Sequence, residues 1–360
     1  MAINTTLMKP LSSKRDNASL KICFLPLIAL FTQKNTTMAQ KAPDYSVDPN
    51  LSSSVKMFLK PLNSGGPPLE SLSKEDARNV LVNAQSAFKV DLTGIEESEK
   101  TITENGLTVK LNIMRPAGVK GKIPVFIFTH GGGWILGDYP THKRLVRDLV
   151  VASGYAAVFV NYSRSPEAQY PRAINEIYAA ANWVSQHGDE INVNGKKMAA
   201  VGNSVGGDMT AVLCLMAKDK GGPEIKLQIL MWPVTDIDFN RPSWIEYGEQ
   251  RFLTASVMKW MWDQYTTDNS QRKEKYASPF QASVEELKGL PPALIQVAEN
   301  DILRDEGEAY GRKLEQAGVT VTSVRYNGTI HDFGLLNGLA ETPQVKALIE
   351  LAAAELKKHL

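Results

Sequence analysis

A hydroxyl becomes a strong nucleophile when an imidazole takes its proton and a carboxylate orients that imidazole. One stretch of this chain is built to present such a hydroxyl: Ala199-Ala200-Val201-Gly202-Asn203-Ser204-Val205-Gly206-Gly207-Asp208. A short apolar run, a serine between glycines and a helix-forming run from Met209 to Lys218 follow one another without a break. This is the pattern of a G-x-S-x-G elbow between a buried strand and a helix. Side chains at 202 and 206 would collide with so tight a turn. The peptide N–H after the serine falls at a helix N-terminus, where backbone donors favour an anion.

A base and an acid must then be found elsewhere. The chain has five histidines. His359 is at the C-terminus, His187 sits at a helix end before Gly188, and His142 opens a helix in a structural place. His130 precedes a glycine loop and is suited to holding it by hydrogen bonds. His331 remains, in Asn327-Gly328-Thr329-Ile330-His331-Asp332-Phe333, just past the last expected strand. Loops at the carboxyl edge of a parallel sheet are where sites assemble. For the acid, Asp301 falls just beyond the strand Ala293 to Val297. Asp305 reads as the N-cap of a helix opening at Glu306. Asp332 is badly placed to orient its neighbour's ring, and Asp236 and Asp238 stay open as alternatives.

His130-Gly131-Gly132-Gly133-Trp134 follows the first buried strand directly. Three consecutive glycines are costly in conformational entropy, so bare backbone is needed there. The functional reading is a loop whose N–H groups form an oxyanion hole together with the N–H of Val205. A phosphate cradle would need G-x-x-x-x-G-K-[ST], which is missing.

Around these residues the elements alternate. Strands are expected at Leu107 to Met114 (an antiparallel edge), Ile123 to Thr129, Ala156 to Asn161, Met198 to Val201, Ile225 to Met231, Ala293 to Val297 and Val319 to Arg325. Helices are expected at Lys143 to Ala152, Arg172 to Gln186, Val205 to Lys218, Glu306 to Ala317 and Pro343 to His359. That order gives an α/β fold with a mostly parallel sheet wrapped on both faces. The domain thus spans 101–233 and 276–360. The aromatic-rich insertion 234–275, with one clear helix at Ala255 to Tyr265, forms a cap with two amphipathic helices in 40–100. The second of these is capped by Ser73 and carries an apolar stripe of Ala77, Val80, Leu81, Ala84 and Phe88.

The 360 residues, 43% hydrophobic, suffice for one large core or two modest ones. A net charge of +1 with interspersed signs offers no basic face for nucleic acid. Two cysteines, Cys23 and Cys214, make neither a disulfide framework nor a metal cluster. Cys214 reads as a buried, inert hydrophobe. Residues 1–39 place Lys9, Lys14, Arg15 and Lys21 before an apolar run, Ile22 to Phe31, too short to span a bilayer. They read as a signal peptide, with cleavage after Thr37-Met38-Ala39, or as a non-native extension upstream of a start at Met38. The first makes the protein periplasmic or secreted, the second cytoplasmic.

Taken together, HGGGW, GNSVGG, SPF at 278–280, LPPALIQVAENDILRDEGEAY and RYNGTIHDF resemble the hormone-sensitive-lipase-like family of α/β-hydrolase esterases. Tyr162-Ser163 and Tyr170-Pro171-Arg172-Ala173 extend the match, which spans residues 45–358. The resemblance implies a capped eight-stranded sheet and hydrolysis of carboxylic esters with short or medium acyl chains. It makes Ser204 the nucleophile, Asp301 the orienting acid and His331 the base, in the chain order of this fold. Gly132, Gly133 and Val205 supply the oxyanion N–H groups. No metal or other cofactor is implied. The expected partner is a small-molecule ester, with no nucleic acid and no stable membrane span; a homodimer is left open. Lipase, lactonase or deacetylase chemistry would use the same triad, and a non-catalytic receptor would use the same fold. Three positions depart from the family pattern: Asn203 where aspartate is usual, Val205 where alanine is usual, and Asp332 where glycine often follows the histidine.

Overall fold

The computed structural model describes residues 40–360, which lie within one compact unit. The signal-like stretch 1–39 lies outside the described residues.

Elements are numbered in chain order. The strands are β1 (Ile95–Glu104), β2 (Leu107–Pro116), β3 (Ile123–Thr129), β4 (Ala156–Asn161), β5 (Val193–Asn203), β6 (Ile225–Met231), β7 (Ala293–Asn300) and β8 (Val321–Ile330). They form one eight-stranded sheet in the order β1-β2-β4-β3-β5-β6-β7-β8. The β1–β2 and β2–β4 pairings are antiparallel, and all others are parallel. Alternation along β3 shows why the inner strands read as unbroken apolar runs. Val125 and Ile127 face a core shared with helices α4 (Arg172–His187), α5 (Val205–Asp219) and α9 (Arg304–Gln316). Phe126 and Phe128 face the opposite core, under α3 (Tyr139–Ser153) and α10 (Pro343–His359).

Several boundaries differ from expectation, among them the start of β5 at Val193 rather than Met198, and four of the differences have a clear physical reason. The sheet starts at Ile95, so the boundary placed at residue 100 falls inside β1. Residues 95–100 are Ile-Glu-Glu-Ser-Glu-Lys, a sheet edge with little to bury and hence no apolar alternation. The Asn105-Gly106 turn, with φ of 52° and 75°, was the available hairpin signal. Helix α3 opens at Tyr139 rather than Lys143, because Asp138 and Thr141 form a reciprocal capping box. Strand β8 continues to Ile330, which delivers His331 directly at its end. Finally, α9 opens at Arg304, so Asp305 is not its N-cap. The Asp305 carboxylate instead accepts the N–H of Ser243 at 2.9 Å.

Above the carboxyl rim lie α1 (Ser53–Leu62), α2 (Lys74–Ser86), α6 (Pro242–Tyr247) and α7 (Ala255–Tyr265); a single-turn helix, α8 (Val284–Leu287), precedes β7. Helix α6 had no clear sequence signal, being six residues long. Ser73 caps α2 through the N–H of Asp76 at 3.1 Å. Ala77 and Leu81 are buried as expected, but Val80 and Phe88 are exposed, and Gln85 takes the buried position on that face. The N-terminal segment is tied to the insertion by Ala42 N–H to Glu246 O at 2.9 Å. A fully buried Arg251–Asp48 ion pair at 2.7 Å ties it again. No helix among the described residues is long and apolar enough to cross a membrane.

Candidate active site

The turn between β5 and α5 consists of Ser204 alone, with φ 55° and ψ −125°. A non-glycine residue held there is strained, by about 1–3 kcal/mol at such sites. The surroundings enforce it. Ser204 N–H donates to Met231 O at 2.9 Å, and Ser204 O accepts from Gly207 N–H at 2.9 Å. A Cβ on Gly202 would lie 2.2 Å from Gly206 O, and one on Gly206 would lie 2.1 Å from Thr129 O. Both glycines are therefore obligatory for close backbone approach.

Beside this turn the structure brings together the three groups singled out in the sequence. His331 Nε2 lies 3.0 Å from Ser204 Oγ, and His331 Nδ1 lies 2.8 Å from Asp301 Oδ2. All three side chains are buried. Asp301 is fixed in turn by Leu303 N–H, which donates to Oδ1 at 3.0 Å. With one ring nitrogen facing a carboxylate and the other a hydroxyl, the imidazole is oriented to take the serine's proton. Burial alone would depress the histidine's affinity for a proton. The neighbouring carboxylates of Asp301 and Asp332 outweigh it and hold the His331 pKa above the ordinary histidine value. The other candidates lie elsewhere. Asp236 pairs with Arg241 and accepts from Gln281 Nε2 at 2.7 Å. Asp238 closes a local turn onto Asn240 N–H at 3.1 Å.

The glycine loop runs on from β3 at the same rim. Gly132 and Gly133 have φ of 105° and 62°, and a Cβ on Gly133 would sit 2.0 Å from Met261 Sδ of α7. Trp134 is fully buried and stacks on Tyr265 of α7 at 4.1 Å. His130 holds the loop, as its position suggested. Its Nδ1 lies 2.8 Å from Gly131 O, and its ring stacks on Tyr162 at 4.1 Å. Burial, with His142 close by, pushes its pKa well below the histidine range. Val205, also fully buried, opens α5. Its branched side chain is thus packed into the core.

Sequence reasoning missed the groups that hold these loops. Gln85 Nε2 donates to Thr141 O at 2.6 Å and Leu335 O at 3.0 Å. Arg144 Nη2 donates to Gly334 O at 2.6 Å and Leu335 O at 2.8 Å, clamping the segment after His331. Neither residue carries a local sequence signal, since each meets its partner only through the tertiary fold. The departures at 203 and 332 also meet: Asn203 Nδ2 donates to Asp332 Oδ1 at 3.2 Å. Trp232 Nε1 donates to the same oxygen at 2.7 Å. Cys214 is buried, and burial raises its thiol pKa, which leaves it unreactive. Among the described residues no cluster of His, Cys, Asp or Glu could hold a metal ion.

Comparison with known proteins agrees with this geometry. Residues 126–335 match the model of a family described by its alpha/beta hydrolase fold. A thermostable esterase from Pseudomonas putida of known structure is 58% identical, with a TM-score of 0.86 over 87% of this chain and 98% of that one. An alpha/beta hydrolase of Acanthamoeba polyphaga mimivirus is 36% identical over 86% of this chain and 88% of its own. The carboxylesterase NlhH of Mycobacterium tuberculosis is 32% identical over 73% of this chain and 82% of its own. With the nucleophile turn, the glycine loop and the capped sheet in these places, the chain belongs to the hormone-sensitive-lipase-like family of α/β-hydrolase esterases.

Proposed function

We propose that the chain is a serine carboxylesterase that hydrolyses small esters with short to medium acyl chains through an acyl-enzyme. The observation that carries this reading is the unbroken relay from Asp301 through His331 to Ser204, at 2.8 and 3.0 Å. Ser204 Oγ attacks the ester carbonyl carbon while His331 Nε2 takes the hydroxyl proton. Asp301 keeps the ring in the right tautomer and stabilises the imidazolium. The carbonyl oxygen becomes an oxyanion met by the N–H groups of Gly132, Gly133 and Val205. As the carbonyl re-forms, the C–O bond to the alcohol breaks and His331 returns its proton to that oxygen. Water then attacks the acyl-enzyme with His331 again as base, releasing the acid and the free serine.

Ser204→Ala should abolish hydrolysis of p-nitrophenyl acetate while leaving the circular dichroism spectrum unchanged; retained turnover refutes the assignment. Stoichiometric labelling of Ser204 by an organophosphate is expected of this relay, whereas a receptor lacking an activated serine stays unlabelled. A series of p-nitrophenyl esters should peak at short or medium acyl length; activity rising beyond about ten carbons on emulsions would instead indicate a lipase. Reading 1–39 as a signal peptide places the mature protein outside the cytoplasm. N-terminal sequencing of the native protein distinguishes starts at Gln40, Met38 and Met1.

A further inference from the structure

Two buried side chains beside the relay, Asn203 and Asp332, are built as one unit. The amide of Asn203 accepts Gly131 N–H through Oδ1 at 3.0 Å and donates through Nδ2 to Asp332 Oδ1 at 3.2 Å. It therefore joins the glycine loop to the histidine loop. The second oxygen of Asp332 lies 3.9 Å from His331 Nε2, the ring edge that faces Ser204. An amide serves at 203 without taking up a proton, because one end accepts from a backbone N–H while the other donates to a carboxylate. An aspartate there would set two buried carboxylates face to face, which drives one of them to keep its proton. The backbone supports the same reading. Asp332 sits at φ 60°, a left-handed conformation that aspartate tolerates better than most residues but glycine adopts more easily. Its carbonyl accepts from Leu335 and Leu336 N–H, at 2.8 and 2.9 Å, and its carboxylate from Asn203 and Trp232.

We propose that Asn203 and Asp332 are a coupled positioning pair: the amide locks the glycine loop to the histidine loop, and the carboxylate supplies His331 with a second negative neighbour beside Asp301. This rests on the serine-esterase reading of the same site. The residues around the carboxylate make the charge effective. Trp232 and Asn203 are neutral donors. His142, from α3, is held at a pKa of about 4 chiefly by burial, so it is neutral during turnover. Arg144 is bonded to backbone oxygens of the same loop and to Asp148. Glu306 of α9 lies farther away, and burial raises its pKa to about 8, so it keeps its proton across the acid limb. The imidazolium formed when Ser204 gives up its proton is then the principal cation that Asp332 can stabilise. His331 must be neutral to act as base. A lost negative neighbour makes it shed its proton at lower pH, so the acid limb of activity moves down.

The test is the pH profile of kcat/KM for p-nitrophenyl acetate, normalised by organophosphate titration of active sites. It compares the parent, Asp332→Asn, Asn203→Asp and the double variant. Asp332→Asn keeps the hydrogen-bonding shape and removes only the charge. It should move the acid limb down by about 0.5–1 pH unit. Asn203→Asp alone should lower kcat by about tenfold or more, through a clash of charges that also loosens the glycine loop. The double variant relieves the clash of charges but leaves one amide atom facing both Trp232 and the new carboxylate at position 203. Its loss should therefore be smaller than the product of the two single losses without returning to that of Asp332→Asn alone. An unmoved limb in Asp332→Asn, or a double variant whose loss is the product of the single losses, overturns the pairing. Should Asn203→Asp fail to fold, the Asp332→Asn limb decides alone. Ser204→Ala, normalised by protein concentration because it has no hydroxyl to titrate, separates the two readings: retained turnover there defeats the esterase reading, while an unmoved limb with Ser204→Ala inactive defeats only the pairing.

Discussion

The rim of the sheet and the α7 face of the cap above it are held by opposite means. At the rim, buried polar groups are bonded to one another: His331 to Asp301, Asn203 to Gly131, and Gln85 and Arg144 to the loop after the histidine. At the cap, α7 meets the glycine loop through rings and a thioether, with Trp134 on Tyr265 at 4.1 Å and on Trp262 at 4.7 Å. The polar tips of those three rings, the Trp134 and Trp262 indole nitrogens and the Tyr265 hydroxyl, find no partner among the described residues. Hydrogen bonds are directional and fix atoms to tenths of an ångström, whereas stacked apolar faces slide at small cost. The rim is therefore built for position and the cap for enclosure. Substitutions at the rim should act on rate, and substitutions in the cap on stability or substrate range.

The sharpest contrast is available at Arg251, whose pairing with Asp48 is the cap's buried directional bond to the N-terminal segment. Arg251→Met leaves Asp48 buried and unpaired, and should cost about 3–5 kcal/mol in urea unfolding. Turnover per titrated active site should stay within about threefold of the parent. A large loss of kcat in the folded fraction would show that the cap positions the chemistry, and the division between rim and cap would fall. Replacing both partners by apolar residues, as in Asp48→Leu with Arg251→Met, should return most of the lost stability.

Gly133→Ala probes the line where the two regions touch. Its Cβ would enter Met261 Sδ at 2.0 Å, on backbone already at φ 62°. The expected loss is about 10²–10³ in kcat, the cost of one misplaced oxyanion donor, with a smaller change in KM. Adding Met261→Ala removes the collision but not the backbone strain. Recovery of less than about tenfold would show that the loop's own geometry is what counts, and full recovery would assign the loss to the cap.

Legibility in the sequence divides along similar lines. Ser204 and the glycine loop announce themselves because close backbone approach admits only glycine, and that restriction is written locally. Inner strands such as β3 are legible because burial on both faces leaves an apolar run. His331 and Asp301 are legible through their places after strands. Edge strand β1 was missed, and the edge was assigned instead to β2, because residues 95–100 are almost wholly polar and show no apolar alternation. Gln85 and Arg144 were invisible because a long polar side chain gives no periodic sign of which carbonyl it will meet. Asn203 and Asp332 were visible only as two separate oddities, 129 positions apart, until the fold put them in contact.

Asp208 is the exception that the comparison must absorb. It lies in the first turn of α5, its N–H donating to Ser204 O at 3.2 Å, yet both carboxyl oxygens are buried without a hydrogen-bond partner among the described residues. Burial, with Glu306 nearby, raises its pKa well above the aspartate range. Tyr265 and Tyr170 on the cap side are among its neighbours, so in its lack of bonded partners it resembles the cap although it stands behind the nucleophile. The native carboxyl keeps its proton at pH values where the unfolded one, with a pKa of about 3.9, has lost it. The native state therefore binds more protons, and its stability falls as pH rises from the unfolded value toward the folded one. Asp208→Asn removes that slope while preserving shape. Its melting temperature should exceed the parent's at pH 8 and converge with it near pH 4, each kcal/mol being worth roughly 1–2 °C in a chain of this size. Parallel melting curves across that range would mean that the carboxylate is ionised and stabilised in place, and Asp208 would then belong with the bonded groups of the rim.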